Sequence, residues 1–274
     1  MRRILLAAVL FGAASCAEAA DLSDLPILRG ALTEGLASRP ANWQGAYVGV
    51  QGGYGTSNMN FSGSTRTVAA SLLSGTEMES QQQISSWPIM GKASVHGNGY
   101  GGFAGYNSQW DDVVVGFEAS YLHGKFGGSQ TGTMARFFSL PSGSTNSATY
   151  QGTSSILISD MASLRARAGY AWGAFLPYAF GGVALGQANI TRTARIFGTQ
   201  VNPANPPPFD NVPFDISATE AMNSKLIYGY SFGLGVDVQL ISCLFFRAEW
   251  EYARFTTVVD TNVSTGRIGL GYKF

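Results

Sequence analysis

Charge is the scarcest commodity in this 274-residue chain. Asp, Glu, Lys and Arg together make up 12% of it, about half the ~25% of an ordinary globular domain. The 17 basic and 17 acidic residues cancel and form no run of one sign. A nucleic-acid partner is thereby excluded, because a phosphate backbone is held by a concentrated positive field. Cysteine occurs twice, at Cys16 and Cys243, which excludes a scaffold stapled by several disulfides. Beyond the first nineteen residues no run approaches the ~18 consecutive apolar residues of a spanning helix.

What is abundant is glycine, at 35 residues, and long stretches with two unlike faces. Residues 226–240 are the clearest. Leu226, Tyr228, Tyr230, Phe232, Leu234, Val236, Val238 and Leu240 alternate with Ile227, Gly229, Ser231, Gly233, Gly235, Asp237 and Gln239. Side chains alternate sides along a strand, so this is one strand with a greasy face and a small, polar face. A tilted strand crosses a bilayer in about 9–11 residues, and this one is longer. Its bulk lies on the continuous apolar face and its glycines opposite, the polarity of a strand with lipid outside and a narrow lumen inside.

Taken in order, the chain opens with Arg2 and Arg3, an apolar run over residues 4–14 and the small-x-small pattern Ala17-Glu18-Ala19. These predict a secretory signal peptide over residues 1–19. Residues 20–42 show no alternation and are expected to be a periplasmic leader; residues 43–274 are expected to form one barrel domain. Strands are predicted near residues 43–54, 96–110, 113–126, 161–172, 176–190, 226–240, 244–255 and 267–274. Three Ser/Thr/Gly-rich segments separate them, at about 61–95, 127–159 and 191–224. The last carries Pro203, Pro206, Pro207, Pro208 and Pro213 and is expected to be a mobile loop without strand. Short turns follow strands two, four and six, and longer connections the odd ones. The predicted fold is therefore all-β: an eight-stranded antiparallel up-and-down transmembrane β-barrel with short periplasmic turns and long extracellular loops. A three-residue turn at Ile241-Ser242-Cys243 would pair Leu240 with Leu244 and set Asp237 across from Arg247.

The motifs Trp43-Gln44-Gly45-Ala46-Tyr47-Val48-Gly49, Tyr100-Gly101-Gly102-Phe103-Ala104-Gly105-Tyr106 and Gly269-Leu270-Gly271-Tyr272-Lys273-Phe274 carry a resemblance. The chain resembles the small eight-stranded outer-membrane barrels of the OmpA transmembrane type and, more narrowly, RopB-type surface proteins of alphaproteobacteria. The resemblance implies that Phe274 is the terminal aromatic read by the outer-membrane assembly machinery. It also implies outer-membrane lipids as surroundings.

Alternation places Glu118, Arg165, Arg167, Asp237, Arg247, Glu249, Glu251, Arg267 and Lys273 on the lumen face. They are expected to form a structural network of ion pairs in a barrel only wide enough for its own side chains. A charge reversal at Asp237 or Arg247 is expected to destabilise, and the double exchange to restore part of the loss. Trp110, Trp172, Trp250, Tyr121, Tyr252 and Phe274 are expected to form interface girdles. His123 falls across from Tyr100, and His96 about 13 Å further along, too far to share a ligand. No catalytic Ser/His/Asp set is visible on the strands, so no enzyme, cofactor or metal is predicted. The expected function is a structural, surface-exposed barrel supporting envelope integrity, with loops open to an extracellular ligand. A narrow porin-like diffusion channel is the alternative, and a lipid-modifying barrel enzyme the third reading.

Overall fold

In the computed structural model, residues 42–274 are described, Phe209 excepted. The expected signal peptide, and the expected leader up to Ala41, lie outside the described residues. Eight strands close into a ring: β1 Gly45–Asn60, β2 Lys92–Trp110, β3 Val113–Ser139, β4 Thr145–Tyr170, β5 Phe175–Val201, β6 Asn211–Ile241, β7 Leu244–Phe255 and β8 Asp260–Lys273. Each pairs antiparallel with its sequence neighbours, and β1 pairs with β8. No sheet edge is left in the part that faces hydrocarbon, where an unpaired backbone group has no water to turn to.

The predicted alternation is realised around the lower ring. Leu226, Tyr228, Tyr230, Phe232 and Leu234 are exposed on the outside, while Ile227 and Asp237 are buried within. Trp110, Trp172, Trp250, Tyr121 and Phe274 are likewise exposed; Tyr252 packs against Phe232 with ring centroids 5.1 Å apart.

The strands are unequal. β3 to β6 hold 27, 26, 27 and 31 residues, two to three times a crossing length of about 9–11. β2 pairs with β3 only as far as Gly99 and Gly124, and β7 with β6 only as far as Phe255 and Gly229. Above that level β3–β6 continue as an open four-stranded sheet. Two predicted loops are therefore corrected. Residues 127–139 and 145–159 are strand, and so are residues 191–201 and 211–224. The true tips are residues 140–144 and 202–210. Pro213 sits within β6, opposite Thr199, on an edge where its missing N–H costs no ladder bond.

Bulges explain why the alternation stopped short. Pairing shifts between His123 and Phe126 against β4, between Ile158 and Asp160 against β5, and between Ala188 and Ile190 against β6. On β4 both Ile158 and Met161 are buried, so the extra residue reverses the phase of everything above it. The turn after β6 is also corrected. Ile241 pairs with Leu244, and a shift between Gln239 and Ile241 absorbs Leu240; the turn itself is two residues, Ser242-Cys243. Below it the predicted pairing of Asp237 with Arg247 stands.

The first predicted loop is folded. Helix α1 (Arg66–Leu72), helix α2 (Glu77–Gln82) and a 3-10 turn (Ile84–Ser86) lie between β1 and β2. Thr76 caps α2 by accepting a bond from the Glu79 N–H. Val68, Ala69, Leu73, Ile84 and Trp87 pack on Ala148, Tyr150, Ala194 and Ile196 of the protruding sheet. Arg192 ties this loop down by donating to the Ser64 carbonyl at 2.8 Å and to Thr67 Oγ1 at 3.1 Å.

Hydrogen exchange on the lipid-reconstituted protein tests the protruding sheet. Amides of residues 147–156, paired on both sides, are expected to exchange far more slowly than those of residues 202–208. Equal, fast exchange in both stretches would mean that the sheet does not extend beyond the bilayer.

Candidate functional site

The lower lumen is walled by rings seated on glycines. A β-carbon on Gly49 would overlap Phe103, one on Gly271 would overlap Phe245, and those on Gly233 and Gly235 would meet Phe180 and Tyr178. Glycine on one strand is thus the seat for an aromatic on a neighbouring strand, which is why small residues face inward here. Tyr47, Phe103, Phe245 and Trp43 close the short-turn end with ring centroids about 6 Å apart.

Eight of the nine predicted lumen charges meet above this floor. Glu118 receives Arg247 Nη1 at 2.8 Å, Arg165 Nε at 3.0 Å and Arg167 Nη1 at 3.3 Å. Asp237 receives Arg247 Nε at 2.8 Å and Arg167 Nη2 at 2.7 Å. Glu249 receives Arg165 Nη2 at 2.7 Å and the Tyr178 hydroxyl at 2.9 Å. Glu251 receives Arg165 Nη1 at 3.1 Å and pairs with Arg267 at 2.5 Å. Four arginines face four carboxylates, all buried. The guanidinium carbons of Arg165, Arg167 and Arg247 lie 4.0, 3.7 and 3.9 Å from the ring centroids of Phe180, Tyr178 and Phe103, contacts that favour cations stripped of water. Lys273 is the correction. It stands half-exposed at the short-turn end and its Nζ donates to the Asn42 carbonyl, apart from the cluster.

Above the ions the lumen turns apolar. Met59, Leu122, Phe126, Ile158, Ile190 and Phe255 belong to one continuous core, and the helical first loop covers its outer end. Sequence reasoning found the ions but not their aromatic walls. Tyr47 and Phe103 had the inward parity, but short strands of mixed Gly, Ala and aromatic residues disguised it.

A second cluster lies outside, at the upper rim of the greasy belt. Asp160 Oδ1 takes bonds from the Tyr121 hydroxyl at 2.6 Å and His123 Nδ1 at 2.8 Å, and Ser159 Oγ donates to Oδ2 at 2.6 Å. The Tyr100 ring stands edge-on to His123, and that of Tyr54 stacks on His96, at 5.6 and 5.7 Å. The bulge at Ser159-Asp160 brings this set together, which sequence reasoning missed by ending strand four at residue 161. It contains Ser, His and Asp, but the carboxylate stands between hydroxyl and imidazole. Activation of a nucleophile needs the imidazole in the middle.

A closed ring with lipid-facing rings outside and compensated ions inside defines the class: a transmembrane β-barrel of the Gram-negative outer membrane. The family model of the outer membrane protein beta-barrel domain matches residues 4–274, and the chain belongs to that family. A search of curated proteins returned no match. Among solved structures the chain is similar to Ail, the attachment invasion locus protein of Yersinia pestis, at 14% identity and a TM-score of 0.36, covering 84% of this chain and 99% of that one. It is similar to Neisserial surface protein A at 13% identity and a TM-score of 0.34, covering 84% and 100%. The N-terminal barrel domain of Pseudomonas aeruginosa OprF matches at 14% identity and a TM-score of 0.30, covering 82% and 99%.

The geometry revises the expectation for Asp237 and Arg247. Exchanging them would restore their own pair, but it would set an aspartate beside Glu118 and an arginine beside Arg167. The exchange is therefore expected to restore little. Arg247→Ala, which strips Asp237 and Glu118 of a shared donor, is expected to cost about 3–5 kcal/mol in urea unfolding from vesicles. A loss within experimental error, or full rescue by the exchange, would show that the cluster is not coupled in this way.

Proposed function

We propose that this barrel is a structural, surface-exposed component of the outer membrane that supports envelope integrity and makes contacts outside the cell. The observation that carries the reading is the lumen, which is filled from the aromatic floor through the ion cluster and apolar core to the first-loop helices. The eight clustered charges act as a structural plug, each held by partners of opposite sign. A barrel of eight strands has an interior just wide enough for such a filling. The narrow-channel alternative loses support from the same packing. The lipid-modifying alternative loses support from the order of groups around Asp160.

The outward contacts belong to the protruding sheet rather than to flexible loops. Folded loops and a paired sheet present a rigid surface, which lowers the entropy cost of binding. Phe274 is exposed at the periplasmic end, with its N–H donating to the Ala46 carbonyl at 2.9 Å; this suits the role of terminal aromatic for the assembly machinery.

Planar-bilayer recording on the purified, folded protein decides between plug and channel. No steady conductance is expected from wild type. A sustained open state would overturn the structural reading in favour of a channel. In cells, a deletion strain is expected to become more sensitive to detergent and to regain resistance with the wild-type gene; an unaltered envelope barrier would count against a supporting role.

A further inference from the structure

Residues 62–90, between β1 and β2, fold as a unit of their own. Among the described residues, every backbone-to-backbone hydrogen bond of this segment closes within it. Its two ends meet at a neck, where the Phe61 N–H donates to the Gly91 carbonyl at 2.9 Å and Asn60 pairs with Lys92. Gly63, at φ +69°, and Gly91 stand at this neck, and a β-carbon on either would meet nothing within 4 Å. Both positions therefore keep room to turn.

No strand ladder joins the unit to the protruding sheet; the ties are made through side chains. Val68, Ala69, Leu73, Ile84 and Trp87 supply the apolar contact. Arg192 holds the Ser64 carbonyl and Thr67, Thr65 Oγ1 shares a bond of 2.7 Å with the Tyr150 hydroxyl, and the Ser142 N–H donates to Glu77 Oε1 at 3.3 Å. Closure also leaves polar atoms unmet. Ser64 Oγ and Arg192 Nε, at one and the same tie, are buried without a partner among the described residues. Asn146 lies on the same face of β4, two residues beyond Ala148. It is 0% exposed, and neither its Oδ1 nor its Nδ2 is bonded. A buried amide with both ends unmet opposes the closed state.

We propose that residues 62–90 form a hinged lid, which lifts from the sheet as one piece while the barrel beneath stays intact. Apolar contact favours closure, and the unmet atoms regain water on opening. Helices α1 and α2 hold seven and six residues, far below the ~12–15 that an isolated helix needs. Once lifted, the segment unwinds, and Tyr150, Ile196, Phe214 and Ile216, which it covers when closed, face water. The exterior thus alternates between a polar closed surface and an apolar open one. Opening does not reach the ion cluster or the aromatic floor, which lie below the apolar core. The inference therefore goes beyond the structural reading above and stands or falls apart from the conductance recording.

Amide exchange, read residue by residue on the full chain in lipid nanodiscs, measures the opening. The amides of Ala69, Leu73 and Trp87 are bonded within the lid and belong to residues packed on the sheet. They are expected to share one protection factor, about tenfold or more below that of the doubly paired residues 147–156. Asn146→Leu, which removes the unmet amide at nearly equal volume, is expected to slow exchange at all three by about tenfold. Arg192→Met, which removes a polar tie and leaves the half-exposed Glu220 to water, is expected to speed it by about tenfold. Exchange at residues 47–52, paired with β8 in the lower ring, is expected to stay as in wild type, which separates lid motion from a change in global stability. Three unrelated protection factors, or protection equal to that of residues 147–156, would overturn the proposal. So would a folded Asn146→Leu variant without slower lid exchange, or an Arg192→Met variant without faster exchange. Should Asn146→Leu fail to fold, judged by heat-modifiable gel migration, the wild-type pattern and Arg192→Met decide.

Discussion

The rest of this barrel depends on one requirement: an arginine taken out of water must be met on every side. Bringing a charge into a low-dielectric interior costs several kcal/mol unless partners and further hydrogen bonds repay it. Glu118 satisfies this requirement by serving three arginines at once, and Arg247 by spanning Glu118 and Asp237. These residues come from β3, β4, β6 and β7, so the ion cluster is also a statement of how the strands are aligned around the ring. A slip of one residue on any of them would turn a charge toward lipid and leave its partners orphaned.

The glycines answer the same requirement from the other side. Rings that cover the guanidinium faces need depth, and a lumen of eight strands has little to spare. Depth is created where Gly49, Gly233, Gly235 and Gly271 forgo a side chain beneath a ring. The scarcity of charge and the surplus of glycine are therefore one fact about the molecule: few ions, each set among aromatics that sit on bare backbone.

On β5 glycine and alanine blur both faces, but where most strands cross the bilayer their alternation was legible in the sequence. So were the eight-strand count, the outward aromatics, the pairing of Asp237 with Arg247 and the inward side of eight of the nine charges. What stayed hidden lies above the rim. There the outward face is Ser and Thr instead of Leu and Tyr, so the contrast between faces that marks a strand disappears. The bulges at Asp160 and near Ser224 also reverse the phase, and prolines near the β5–β6 tip disguise the paired residues flanking it. Lys273 was misplaced for a related reason: at the end of a strand, parity names a side of the sheet but not a depth. The helices between β1 and β2 escaped notice because each is barely two turns long and is held by Arg192 and the sheet, contacts distant in sequence.

The three register shifts share one height around β3, β4, β5 and β6, and that alignment has an evolutionary consequence. A bulge absorbs a change of count locally, so strand growth or trimming above the seam is not transmitted to the ring below. The embedded half can stay constrained by its ions while the half outside drifts, lengthens or is exchanged. Such a two-storey plan lets the visible part of a bacterium's surface diverge without each change having to be reconciled with insertion into the membrane.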